Sequence, residues 1–294
     1  MLYAIVGATG HTGHMIADRL LAAGKDVRVQ SRDAAKLRPF VDRGAKPVVG
    51  SIEDRDTLVR LFSGAHAVYA MLPPDVTTAD PIGLQAYLGE NIAGALREMR
   101  VRFCVNLSSF GAQNRTSAGP VSGLGRQEER LNAISDLTVL HLRPAFFMEN
   151  LLNFVPMIRQ GFIALPVMAD LPMPFIATRD IGEIAATELL ELQVTGHSTR
   201  ELLGPRDLTW TEVAGIIGKA IGKPDLRYVQ ASYEDAEKGM IEAGLRPALA
   251  AAYVEMYRAI NERRMKALEP RSDRNTTPTT IEQWVQTDLV PALR

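Results

Sequence analysis

An apolar run, Leu2-Tyr3-Ala4-Ile5-Val6, passes straight into Gly7-Ala8-Thr9-Gly10-His11-Thr12-Gly13, three glycines spaced three apart. A strand that must turn at once into a helix needs one glycine at the bend. It needs a second where the backbone approaches a pyrophosphate, and a third where the helix packs on the sheet. Gly7, Gly10 and Gly13 fill these places, and a helix opening at His11 to Thr12 aims its unpaired N–H groups and positive dipole end at the phosphates. The flanks fit: Ile16, Ala17, Leu20 and Leu21 make an amphipathic helix, Gly24 stops it, and Val27-Arg28-Val29-Gln30 begins a second strand. The segment predicts a dinucleotide site held by Gly7, Thr9, Gly10, His11, Thr12 and Gly13.

Strand patterns at 2–6, 27–30, 47–50, 66–72, 103–108 and 138–143 alternate with helical patterns at 11–23, 33–43, 54–63, 80–99 and 122–134. That alternation predicts an α/β fold, a doubly wound parallel sheet of the Rossmann type, with its ligand crevice beyond the carboxyl ends of the strands. Arg32, Ser51, Leu72, Pro73, Ser108, Ser109, Pro144 and Phe146 then become site candidates because each follows or ends a strand. After Asn150 the texture changes, and Pro156, Pro166, Pro172 and Pro174 forbid a long helix. Residues 1–150 read as the nucleotide-binding domain, with a returning segment near 179–204, and 151–294 as a smaller, mainly helical lobe packed over the crevice. Asp180-Ile181-Gly182-Glu183 reads as a capping box, Glu201-Leu202-Leu203-Gly204 as one further strand, and Thr209 to Glu212 and Thr279 to Glu282 as two more helix starts.

The charge balance, 33 Lys+Arg against 34 Asp+Glu, offers no field for a polyanion, so neither nucleic acid nor a membrane surface is an expected partner. The basic run Arg263-Arg264-Met265-Lys266 reads as a solvated helix face. Cys104, the single cysteine, lies between Phe103 and Val105 and reads as a buried strand residue in a reducing compartment. The first apolar run is only a strand long with no basic segment before it, and no run approaches the roughly 20 apolar residues that span a bilayer. A soluble, cytoplasmic protein is expected. His11 and His14 stand near each other, but His66, His141 and His197 are scattered, and no metal site is expected.

Several segments together resemble the NmrA-like group of atypical short-chain dehydrogenases over nearly the whole chain. They are Gly7 to Gly13, Ser31-Arg32, Leu142-Arg143-Pro144-Ala145-Phe146-Phe147-Met148-Glu149-Asn150, Arg179-Asp180-Ile181-Gly182-Glu183, and Leu203-Gly204-Pro205 before Leu208-Thr209. The resemblance implies an NAD(P)-binding Rossmann domain with a small substrate domain. The group includes quinone reductases, phenolic-ether reductases and NADP-sensing regulators, so membership leaves activity open. It also implies that Ser108 and Ser109 lie where nicotinamide and substrate are contacted. The Met and Phe residues from Phe146 to Phe175 then either line an apolar substrate pocket or close the core between lobes.

An acidic residue after the second strand would bind the ribose hydroxyls of NAD. This chain has Ser31-Arg32 there, and a guanidinium fork suits the 2′-phosphate of NADP. NADP is the expected cofactor. NAD remains the alternative through Asp33, although that residue is better placed as the N-cap of the next helix.

Short-chain reductases ordinarily use a Tyr with Lys four residues on, and no Tyr here has Lys at that spacing. No lysine occurs between Lys46 and Lys219, and Arg126, in Ser122-Gly123-Leu124-Gly125-Arg126, is the nearest basic replacement. Its guanidinium can orient an acceptor but cannot give up a proton. Ser108 and Arg126 are therefore the candidate catalytic residues, in orientation only, with Ser109, Phe146, Phe147 and Asn150 as substrate contacts. If a proton donor is required, Tyr253 and Tyr257 are the first candidates. Two readings follow: an NADPH-dependent oxidoreductase acting on a quinone-like or other electron-poor aromatic acceptor, or a non-catalytic NADP(H) sensor that binds a protein partner through its helical lobe. A homo-oligomer is compatible with both.

Overall fold

The computed structural model describes residues 1–293. The first half alternates strand and helix: β1 (Leu2–Ile5), α1 (His11–Ala22), β2 (Asp26–Ser31), α2 (Ala34–Val41), β3 (Lys46–Val49), α3 (Arg55–Phe62), β4 (Ala67–Met71), α4 (Pro81–Glu98), β5 (Phe103–Leu107), α5 (Pro120–Asn132) and β6 (Thr138–Pro144). After β7 (Phe146–Phe147), α6 (Val155–Arg159), β8 (Phe162–Leu165) and β9 (Met173–Ile176), the chain returns through α7 (Thr178–Glu191) to β10 (His197–Leu202), which pairs parallel with β6. The seven-stranded sheet has the order β10-β6-β5-β4-β1-β2-β3. Strands buried on both faces need continuous apolar runs, which is how Phe103 to Leu107 and Ala67 to Ala70 read.

Helices α1, α2 and α7 cover one face over a core that includes Ile16, Leu20, Leu37, Ile181 and Leu189. The other face carries Leu58, Leu61, Phe62, Ile92 and Leu96 from α3 and α4. Helix α7 approaches α1 through Gly182, where a Cβ would lie 2.6 Å from Cβ of Met15. The chain leaves β1 for β2 and β3 in one direction and then crosses to β4 on the other side, so the crevice opens between β1 and β4 at their carboxyl ends. This is the expected doubly wound architecture.

The rest of the chain adds β11 (Asp207–Leu208), α8 (Trp210–Ala220), β12 (Arg227–Gln230), α9 (Tyr233–Glu242), α10 (Pro247–Asn261), α11 (Ile281–Trp284) and α12 (Val290–Leu293). Two small sheets, β11-β9-β7 and β12-β8, join these helices around Trp210 and Trp284, both fully buried. Thr209 caps α8 in a reciprocal box with Glu212, as expected, whereas the last box pairs Thr280 with Gln283. Among the described residues no helix is long and apolar enough to cross a membrane.

Two local expectations are corrected. Asp180 and Glu183 form no capping box: α7 starts at Thr178, and the Asp180 carboxylate accepts from the amide and hydroxyl of Thr279 while Glu183 pairs with Arg19. Spacing alone cannot separate a cap from a first-turn acid that reaches a distant strand. The run from Arg263 to Lys266 is a turn after α10 rather than a helix face; Met265 is buried against Gly111 and Arg264 donates to the Ser117 carbonyl.

Candidate functional site

The glycine turn uses each glycine for a separate reason. Gly7 has φ +65°, a left-handed bend that side chains resist, and its amide donates to the buried Gln30 side chain at 3.0 Å. At Gly13 a Cβ would meet the Gly7 carbonyl oxygen at 2.3 Å, so only glycine lets α1 sit this close to the turn. Gly10 is exposed, has φ −85°, and a Cβ there would meet nothing nearer than 3.4 Å. Its lack of a side chain serves the open side. No side chain caps α1, and the amides of His11, Thr12 and Gly13 have no partner among the described residues. Three free N–H groups, a dipole end and a bare backbone suit a pyrophosphate, so the residues present fit a dinucleotide.

The turn is braced from beneath. Gln30 bridges it to the end of β3 by donating to the Gly50 carbonyl at 2.7 Å. The Thr12 hydroxyl turns inward to Tyr69 on β4 at 2.7 Å, and that buried phenol is pushed up by desolvation. Thr12 therefore offers the crevice its amide rather than its side chain. Thr9 lies 3.3 Å from Ser31, whose hydroxyl also accepts from the Asp33 amide.

Arg32 is exposed just past β2. Asp33 is occupied as the N-cap of α2, accepting from the Ala35 amide at 2.9 Å. Across the crevice, in the loop after β4, the Thr77 hydroxyl and amide hold the Asp75 carboxyl below the ordinary carboxylate range, and the charge of Arg32 contributes. Leu72 and Pro73 lead into this loop, and Ser51 follows β3 with its hydroxyl accepting from the Glu53 amide.

At the other end of the crevice, Ser108 follows β5 and is buried, and its hydroxyl donates to Glu128 at 2.6 Å. Glu128 on α5 also receives the Arg143 guanidinium as a fork, 2.8 Å from Nε and 2.6 Å from Nη2. Burial pushes the Glu128 carboxyl up, but the Arg143 and Ser108 hydrogen bonds outweigh it and hold the group below its ordinary range. A carboxylate only accepts, so the hydrogen of Ser108 is committed and what it can present outward is a lone pair. Ser109 donates to the Phe110 carbonyl. Next to this network His141 bonds to Asn106 through Nδ1 and to Asn132 through Nε2; desolvation lowers its pKa to about 4, so it stays neutral.

Arg126 is half-buried on α5 with no hydrogen-bond or ion-pair partner among the described residues. Phe146 and Phe147 face opposite ways, as alternation on a strand demands. Phe147 packs against the sheet core, whereas Phe146 joins the lobe, edge-on to Phe175 and to Trp210 at 5.4 Å each. Many of the Met and Phe residues between them, Met148 and Phe175 included, close the lobe's core. Asn150 is half-buried in the short helical turn after β7.

The strand ends thus bring the glycine turn, Arg32, Ser51, Leu72, Pro73, Ser108, Ser109 and Pro144 to one edge of the sheet, with Phe146 beside it. Sequence reasoning missed Gln30, Tyr69 and Glu128, which hold that edge in shape. Gln30 had a signal, a polar residue in an otherwise buried strand. Glu149 was noticed only as part of a motif; its carboxylate accepts the Thr178 amide at the start of α7 and the Trp284 indole, so it ties β7 to the lobe.

A family model described as the NmrA-like family matches residues 2–285, and the chain belongs to that family. An NAD(P)H azoreductase from Xenophilus azovorans is 28% identical over 256 residues, covering 86% of this chain and 85% of that protein. The crystal structure of an NADPH-dependent quinone oxidoreductase from Escherichia coli, complexed with NADPH, matches with a TM-score of 0.82 at 22% identity, over 97% of this chain and 98% of the other. A negative transcriptional regulator in complex with NAD matches at 0.77 and 15% identity, over 99% and 95%.

Proposed function

We propose that this member of the NmrA-like family is an NADPH-dependent oxidoreductase that reduces a quinone-like or other electron-poor aromatic acceptor. The observation that carries the reading is the open glycine turn, with three unpartnered amides on one side and the exposed Arg32 where a 2′-phosphate would lie. The azoreductase and quinone oxidoreductase likenesses support it. When bound, NADPH supplies a hydride from its nicotinamide ring. The amides of His11, Thr12 and Gly13 and the bare backbone at Gly10 hold the pyrophosphate, Arg32 grips the 2′-phosphate, and Leu72, Pro73 and Pro144 flank the cofactor. Ser108 accepts a hydrogen bond on the nicotinamide side, Arg126 orients the acceptor, and Ser109, Phe146 and Asn150 border its place, whereas Phe147 is turned to the sheet core.

The acceptor class follows from what the strand ends lack. A ketone reduced to an alcohol develops an alkoxide that needs a positioned acid, whereas a quinone gives a stabilised phenolate that water can protonate. With the hydrogen of Ser108 committed to Glu128 and no lysine between Lys46 and Lys219, the electron-poor acceptor is favoured. NADPH oxidation should therefore be fast with a panel of quinones and slow with simple aldehydes and ketones. Efficient ketone turnover, with a pH profile showing one essential acid, would reverse this assignment. The regulator's likeness favours a second reading, an NADP(H) sensor. It predicts binding that differs between NADPH and NADP⁺ with no turnover of any acceptor.

Arg32→Ala should weaken NADPH by roughly 1.5–3 kcal/mol, about ten- to a hundredfold, and leave NADH nearly untouched. Fluorescence titration of both cofactors reads this directly. Equal weakening of the two would mean that Arg32 does not select between them.

A further inference from the structure

Helix α10 ties the loop after β4 to the start of α5. At its start Arg246 donates to the Thr77 carbonyl in the loop after β4, at 3.2 Å. Midway, its Glu255 carboxylate accepts from the Gly119 amide, immediately before α5, at 3.1 Å, and Gly119 leaves room for the Ala252 carbonyl. One face of α10 thus spans from the end of β4 to the start of α5. Tyr253 and Tyr257, one turn apart on this helix, are both half-buried. Tyr257 packs with the same apolar cluster as Phe110 and Phe146, which follow β5 and β6.

The hydroxyls are the unusual feature. Tyr228 donates to the carbonyls of Leu165 and Val167, and Tyr233 is bonded by Asn261. Tyr253 and Tyr257 are half-buried and have no hydrogen-bond partner among the described residues. Neither hydroxyl is among the fully enclosed unpartnered polar atoms, so both still reach solvent, and a ligand oxygen can take the place of that water. Ser108 and Ser109 have already placed their hydrogens, whereas these two phenols are neutral donors without a protein partner among the described residues.

We propose that Tyr253 and Tyr257 form the hydroxyl pair that donates hydrogen bonds to the oxygen of a quinone-like acceptor, a role that rests on the oxidoreductase reading above. Hydride transfer from bound NADPH would break the dihydronicotinamide C–H bond and form an O–H bond at one quinone oxygen, the π electrons moving through the ring to the other oxygen, so that oxidised nicotinamide and a hydroquinone monoanion result. The pair stabilises that anion. Burial pushes both phenols above their ordinary range, so they keep their hydrogens and the completing proton comes from water.

The test is the double variant Tyr253→Phe/Tyr257→Phe, which keeps the ring volume, read three ways. NADPH titration reports that the fold and cofactor site persist. Steady-state kinetics compare a quinone with a triarylmethyl cation dye, which takes hydride on carbon and has no oxygen to stabilise. Equilibrium binding of 4-nitrophenolate, a stand-in for the product anion, needs no turnover. The expected result is a loss in quinone kcat/KM of about ten- to a hundredfold beyond any loss with the dye, with nitrophenolate weakened by a similar factor. Equal losses for quinone and dye, or nitrophenolate binding that is absent in the parent or unchanged in the variant, would overturn the proposal. If the parent reduces no acceptor, the oxidoreductase reading fails on that result, and nitrophenolate binding alone decides the tyrosines.

Discussion

Gly10→Val is expected to abolish binding of NADPH and NADH alike, a loss of more than about a hundredfold or ~2.7 kcal/mol, in a protein that still folds. The backbone at Gly10 has an ordinary φ of −85°, and a Cβ there meets the Gly7 carbonyl oxygen only at 3.4 Å, so nothing inside the chain forbids a side chain. Helix α1 loses on the order of 1 kcal/mol from a poor N-cap. The prohibition comes from outside, because valine would stand where the pyrophosphate must approach the amides. Gly13→Ala gives the contrast: its Cβ would lie 2.3 Å from the Gly7 oxygen, so that variant should lose thermal stability as well as binding. Circular dichroism and cofactor titration on the pair separate the two causes. A folded Gly10→Val protein with unchanged titrations would remove the glycine turn from the site.

Glu128→Ala should cost about 3–5 kcal/mol of folding stability, because it strands the Arg143 guanidinium with its side chain only 8% exposed. The same change frees the hydrogen of Ser108, which then turns to another acceptor. Replacing both charges, as in Glu128→Leu/Arg143→Met, should recover most of the loss, since a buried pair contributes little net stability beyond a packed apolar pair. Denaturant midpoints for the single and double variants measure the difference. A single variant within about 1 kcal/mol of the parent would mean that water already reaches the fork. The carboxyl is held below its ordinary range, so its stabilising contribution is present above the unfolded-state carboxylate pKa and is lost as pH falls through the lower folded value.

The strand-turn-helix at the N-terminus was legible because its constraints are local. A left-handed bend at Gly7, the absence of a side chain at Gly10 and the close approach at Gly13 each act within a few residues of chain. Asp33 as a cap of α2 and Thr209 with Glu212 at α8 were legible for the same reason: donor and acceptor are two or three residues apart. Asp180 failed that logic because its partner, Thr279, is 99 residues away, and nothing in the local pattern distinguishes the two cases.

The sequence by itself determined the sheet, its crevice and the residues delivered to its edge, since apolar periodicity and glycine spacing dictate both strands and turns. Tertiary structure alone decided what those residues have left to offer. Ser108 reads as a free hydroxyl until Glu128 and Arg143 are folded around it. Phe146 and Phe147 read as one aromatic wall until the strand sends them to different cores. Tyr253 and Tyr257 read as candidate proton donors with no known place until α10 is tied to the loop after β4 and the start of α5. Long-range partners consume or spare a side chain's hydrogen-bonding capacity, and which they do depends on distances that chain order does not encode.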